Sequence, residues 1–262
     1  MGTRNLICIR VNRKWALAKY CQWDGYPTGQ GFWLYKFLHI EGNIARLRAG
    51  LPHIYEPTEE DWKRVTREVK DEMTQIDSLS PKEFDDYLDD GERRRMRGMP
   101  FEHKKCIIIH EDKQSDKLFP SLSRGTGAGI LELIANATPD NKLPVQSELD
   151  FANDGFSCEW AYIVDLDEEQ LKIFTCTGPK SEGHPFEDVG DPDDGVPAFV
   201  TSFTFLELRS WDKKKFMQLA TEIEQNVAEM VMEDDFDDGD EGDSSSDGGN
   251  DAASKVEKLH LG

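Results

Sequence analysis

The sequence of 262 residues predicts an α+β fold: an antiparallel or mixed sheet built from two hairpins and flanked by helices. Three observations carry that prediction. Two pairs of short segments alternate apolar and polar residues with period two, apolar stripes at helical spacing lie between and after them, and the order lacks regular β-α-β alternation. Past Met232 the apolar periodicity stops and Asp, Gly and Ser take over, which cannot bury enough surface to offset chain entropy. The reading is therefore one domain over residues 1–232 and a disordered acidic tail over residues 233–262.

The first hairpin comes from Leu6–Val11, a polar turn at Asn12-Arg13-Lys14, and a return over Trp15–Tyr20. A helix opens at Phe32, breaks around Gly42, and continues the stripe Ile44, Leu47, Leu51 until Gly50 and Pro52 close it. Thr58-Glu59-Glu60-Asp61 starts another helix, with Trp62, Val65, Val69 and Met73 on one face. Ser80-Pro81-Lys82-Glu83 combines an N-cap hydroxyl, a first-turn proline and the reciprocal glutamate of a capping box, so a helix runs from Pro81 to about Leu88. Glu92–Arg97 reads as an exposed helix end or loop outside the core. Cys106–Ile109 fits either a buried strand or part of a helix. The second hairpin spans Ser157–Leu166 and Leu171–Thr177. A long polar loop from Gly178 to Pro197, a strand over Ala198–Phe205, and a final amphipathic helix marked by Phe216, Leu219, Ile223, Val227 and Val231 follow.

Charge and cysteines narrow the function classes. From Glu233 onward there are 11 acidic residues against two lysines, and the body still carries 41 acids against 29 bases. A net acidic body disfavours wholesale nucleic-acid binding, which needs a basic face for the phosphates. Cys8, Cys21, Cys106, Cys158 and Cys176 are odd in number and widely spaced, which fits reduced core thiols. With no long apolar run near Met1, the expected setting is intracellular, cytoplasmic or nuclear, with no membrane partner.

The richest candidate for a site is the loop Gln22–Gly31. It mixes two aromatics, one carboxylate, two amides and three glycines, the ingredients of a ligand-reading surface. Trp23, Asp24, Tyr26 and Gln30 are its candidate binding residues, with Arg4 able to supply an opposite charge. Their plain alternative is rings packed under a simple turn. A second candidate is Arg124 with Gly125-Thr126-Gly127-Ala128-Gly129 ahead of an apolar helix, which resembles a phosphate cradle but lacks the P-loop lysine and a clear preceding strand. His103, Cys106 and His110 would share a helical face, yet the isoleucines between them favour burial, so neither metal nor cofactor is expected. The acidic stretch Asp188–Gly195 fails the EF-hand pattern.

The blocks Gly2-Thr3-Arg4-Asn5-Leu6 and Gln22–Gly31 resemble those of a family of uncharacterised proteins from fungi and bacterial viruses. The segments Phe119–Ile134 and Cys158–Asp167 are similar to later blocks of the same family. The resemblance implies one folded unit and brings no assigned activity. The expected function is non-catalytic binding or regulation, with a small polar or anionic ligand or a peptide held at Trp23–Gly31. Alternatives are a hydrolase using Thr3 or a cysteine as nucleophile, and an acidic tail that engages basic proteins or shields Arg93–Arg97, with Ser244–Ser246 open to phosphorylation.

Overall fold

A computed structural model describes residues 2–191 and 193–237, with side chains through residue 230. In chain order the elements are β1 (Asn5–Val11), β2 (Lys14–Cys21), α1 (Phe32–His39), α2 (Asn43–Gly50), β3 (Ile54–Tyr55), α3 (Glu59–Ser78), α4 (Pro81–Tyr87) and α5 (Asp90–Arg95). They continue with α6 (Phe101–Ile108), α7 (Glu111–Leu118), α8 (Ile130–Ala135), β4 (Leu143–Pro144), β5 (Trp160–Asp165), β6 (Gln170–Gly178), β7 (Val196–Thr204), α9 (Phe205–Ser210) and α10 (Lys213–Asp237). A five-stranded mixed sheet with order β2-β1-β5-β6-β7 and a two-stranded sheet β3-β4 make this an α+β protein. Apart from the helical backbone through Asp237, the tail expected over residues 233–262 lies outside the described residues.

The chain forms two compact units: Met1–Ile54, Gly127–Leu143 and the chain from Ser147 make the first, and Tyr55–Thr126 with Pro144–Gln146 the second. In the first unit both expected hairpins are present, and β1 joins them by pairing parallel with β5. The first hairpin turns on Asn12 and Arg13 alone, both with positive φ, the geometry that follows strand twist in two-residue hairpins. Arginine is an unusual residue there, and the turn is fixed from outside: the Asp167 carboxylate accepts the backbone N–H groups of Asn12 at 2.9 Å and Arg13 at 2.7 Å. Asp165 plays the same part in its own hairpin, accepting the N–H groups of Asp167 and Glu168 and pairing with Lys172.

Alternation assigns the sheet two different faces. Leu6, Cys8, Ala18, Ala161, Ile163 and Phe174 form one apolar face. The opposite face carries Ile7 and Ile9 together with Asn5, Lys19, Cys21 and Tyr162, all buried. Burial of every residue of β5 follows from cover on both sides. The apolar face receives Phe186 and Val189 from the segment between β6 and β7, which corrects the expectation of a merely polar loop there. Phe186 stacks on Trp15 with centroids 5.1 Å apart and meets Phe174 edge-on. Two apolar residues in a polar stretch give no periodicity to detect, although they suffice to dock the segment.

The second unit is helical and locally specified. Capping boxes start α3 (Thr58 with Asp61), α4 (Ser80 with Glu83) and α5 (Asp89 with Glu92). Its apolar side chains gather in two clusters, one of Ile76, Phe84, Leu88, Met96 and Ile108, the other of Val65, Val69 and Leu122. Met96 is fully buried, which corrects the reading of Glu92–Arg97 as wholly outside the core: α5 ends at Arg95 and the next residue anchors the turn. The ambiguous Cys106–Ile109 run is helical through Ile108. Cys106 and Cys176 are exposed, so only Cys8, Cys21 and Cys158 are core thiols as expected.

Candidate functional site

The Gln22–Gly31 loop leaves the edge strand β2 and leads through one π-helical turn, Pro27–Gly31, into α1. Such turns are rare and concentrate at functional sites. Its backbone is pinned at nearly every second residue. The N–H of Gly25 donates to Thr3 O at 2.9 Å and that of Gln30 to Asp24 O at 2.8 Å, while the N–H of Thr28 donates to Glu224 Oε1 at 2.6 Å. From beneath, the buried Tyr162 hydroxyl donates to Gly25 O at 2.7 Å. Gly29 is required here, because a Cβ on it would sit 2.2 Å from Asp24 O.

On this frame the predicted site residues separate into two groups. Trp23 is 50 % exposed although its ring lies against Gly2, where a Cβ would come within 2.2 Å of it. Asp24 is exposed and held at a positive φ of 54°, a conformation aspartate tolerates better than most residues. Tyr26 is half-buried and its hydroxyl donates to Asp24 Oδ1 at 3.2 Å. That hydrogen bond, the Asp24 charge, burial and the Glu224 charge together raise the Tyr26 phenol above its usual range, so it stays a donor at neutral pH. Trp23, Asp24 and Tyr26 thus form one outward-facing set with a net negative charge.

Gln30 and Arg4 are placed differently. Gln30 is buried and uses both ends of its amide internally, donating to Trp23 O at 3.2 Å and accepting from the Ala128 N–H at 2.8 Å. It braces the loop rather than lining its outer surface. The Arg4 guanidinium donates to Ser157 Oγ at 3.0 Å and its backbone N–H to Glu159 Oε1, so Arg4 is tied to β5's approach and not to Asp24. Arg124 is exposed and belongs to the second unit. Within the Gly-rich stretch after it, the Gly125 N–H donates to Ser123 Oγ and the Ala128 N–H is taken by Gln30, so two of the amides of the supposed cradle already have protein acceptors.

The remaining chemistry is less favourable for catalysis. Burial pushes the Cys8 and Cys21 thiols up and takes Cys158 up to about 12, the reverse of what an activated nucleophile needs. Thr3 is half-buried, with its carbonyl engaged by Gly25. His103 and Cys106 lie in α6 but His110 falls beyond its end, and no metal-sized group of three His, Cys, Asp or Glu side chains occurs among the described residues. Among those residues no helix is long and apolar enough to cross a membrane.

Comparison of the chain with protein-family models, curated proteins and solved structures finds no match. The geometry alone therefore shows what sequence reading missed: Tyr162 and Glu224, which hold the loop from positions far along the chain. Glu224 is one polar residue among many on an amphipathic helix, and nothing local distinguishes it.

Proposed function

We propose that this chain is a non-catalytic binding protein whose Trp23–Gly31 loop receives a polar ligand or peptide through a cationic group. The observation that carries this reading is a half-exposed tryptophan beside an exposed carboxylate on a backbone fixed by four long-range or loop-closing hydrogen bonds. An indole face attracts cations through its quadrupole, and Asp24 supplies the opposing charge next to it. The charges that act on the Tyr26 phenol, Asp24 and Glu224, are both negative and favour this version over an anionic ligand. Preorganisation matters because little ordering entropy remains to be lost when a ligand arrives.

Exposed contacts of this kind are individually weak, about 0.5–1 kcal/mol for a cation over a ring and about 0.2–1 kcal/mol for an exposed ion pair. The expected affinity for a short peptide is accordingly modest. Calorimetry with an acetylated peptide carrying two arginines, and with its citrulline counterpart as uncharged control, tests the reading. The arginine peptide should bind and the control should not; Asp24→Lys, which replaces attraction by repulsion, should weaken binding about tenfold, and Trp23→Ala about two- to fivefold. Equal binding of both peptides, or binding indifferent to Asp24→Lys, would remove it.

A further inference from the structure

The second unit carries a concavity of about 510 Å³ lined by Asp85, Asp90, Arg93, Arg94, Arg97 and Lys104 with Gly98. Four cations converge there against two carboxylates, in a chain whose overall charge is −21. The carboxylates are spoken for: Asp85 pairs with Lys104 at 3.4 Å and Asp90 with Arg93 at 3.8 Å. Arg93 also donates to Leu88 O at 2.6 Å, which fixes its direction. The guanidiniums of Arg94 and Arg97, both exposed residues, have no hydrogen-bond or ion-pair partner among the described residues.

The frame beneath these side chains is rigid. Met96, between Arg95 and Arg97, is buried with Phe84, Leu88 and Ile108, and the Asp89–Glu92 capping box fixes the start of α5. Gly98, at φ 82°, turns the chain toward α6, which contributes Lys104. The guanidiniums therefore start from a backbone that does not need to be ordered on binding. Two unneutralised arginines on a fixed backbone suit oxyanions, because the planar fork matches phosphate oxygens in a bidentate fashion.

We infer that the concavity formed by Arg93, Arg94, Arg97 and Lys104 is a binding site for a compact ligand bearing linked phosphates, of the diphosphate class. With Asp85 and Asp90 pairing Lys104 and Arg93, the remaining Arg94 and Arg97 leave the concavity a net charge of +2, one guanidinium for each phosphate of a linked pair, and the volume of about 510 Å³ lies in the range of small-molecule sites. A long polyanion such as a nucleic acid is disfavoured by the acidic body around it. This site is independent of the Trp23 loop and is built by different residues.

Calorimetry with inorganic pyrophosphate on the full chain tests the assignment, with adenosine diphosphate and unphosphorylated adenosine as further arms. Pyrophosphate should bind, with affinity falling as salt rises, and Arg94→Ala/Arg97→Ala should weaken it about tenfold or more. Neither side chain supports the fold, so circular dichroism of the double variant should match the parent. Tighter binding of adenosine diphosphate than of pyrophosphate would place a base beside the phosphates, while adenosine alone should not bind. Absence of binding at millimolar pyrophosphate, equal binding by parent and variant, or a preference for duplex DNA would overturn the inference.

Discussion

Leu6 of β1 finds its partner Ala161 across a parallel pairing that spans most of the chain, whereas Thr58, Ser80 and Asp89 each find theirs three residues on. The first unit is specified by pairings that exist only once the chain has folded back on itself. In the second, capping boxes between residues three apart fix the starts of α3, α4 and α5, while α6 and α7 open without a side-chain cap. The same contrast divides the two sites. The Trp23 loop is held by Tyr162 and Glu224 from far along the sequence, while the arginine concavity rests on a capping box and one buried methionine close by.

Core truncation should separate the units most. Phe186→Ala removes a fully buried ring that docks the segment before β7 onto Trp15 and Phe174 of the sheet, and should cost about 3–5 kcal/mol in urea unfolding; Phe199→Ala, at a partly exposed position on β7, should cost far less. If the two cost the same, the segment before β7 is not part of the core. In the second unit Met96→Ala should cost about 2–5 kcal/mol, while Arg97→Ala should stay within about 0.5 kcal/mol.

Smaller changes test the ties themselves. Tyr162→Phe leaves Gly25 O without its buried donor and should cost about 1–2 kcal/mol while loosening the loop, read as faster amide exchange at Gly25 and Gln30. Ser80→Ala should cost about 1 kcal/mol, confined to α4 and its neighbours in hydrogen exchange.

Acid should reach the units at different points. Burial lowers the His184 pKa from its ordinary 6.5, so the unfolded chain takes up that proton first; the stabilisation is complete above 6.5 and is lost as pH falls through the folded value. In the second unit, hydrogen bonds from Thr58 and Ser80 lower Asp61 from 3.8 and Glu83 from 4.5, so their contribution is complete above those values and fades only below them. Thermal unfolding of the parent and of His184→Gln between pH 7 and 5 should show the parent's midpoint falling more steeply. Identical slopes would show that His184 does not set the acid response of the first unit.

The same physical distinction explains what could be read from the sequence. The Ser80–Glu83 box and both hairpins announced themselves through residues within a few positions of one another. Met96 did not, because one apolar residue among arginines has no periodic neighbour to mark it as core. Trp23, Asp24 and Tyr26 were legible as a surface set by residue type, yet the inward role of Gln30 depends on Ala128, which no spacing rule connects to it. Arg94 and Arg97 read as a solvated helix end until Met96, Gly98 and Lys104 gave them a floor and a wall.

Whether the Trp23 loop receives a cationic group is read most directly in a backbone and indole amide NMR titration of the isotope-labelled chain with the two-arginine peptide. Saturable shifts should concentrate at the Trp23 indole and the amides of Asp24, Gly25 and Tyr26, with Gln30 nearly still because its side chain and backbone are already tied down. Shifts scattered over acidic surface residues with the loop unmoved would contradict it.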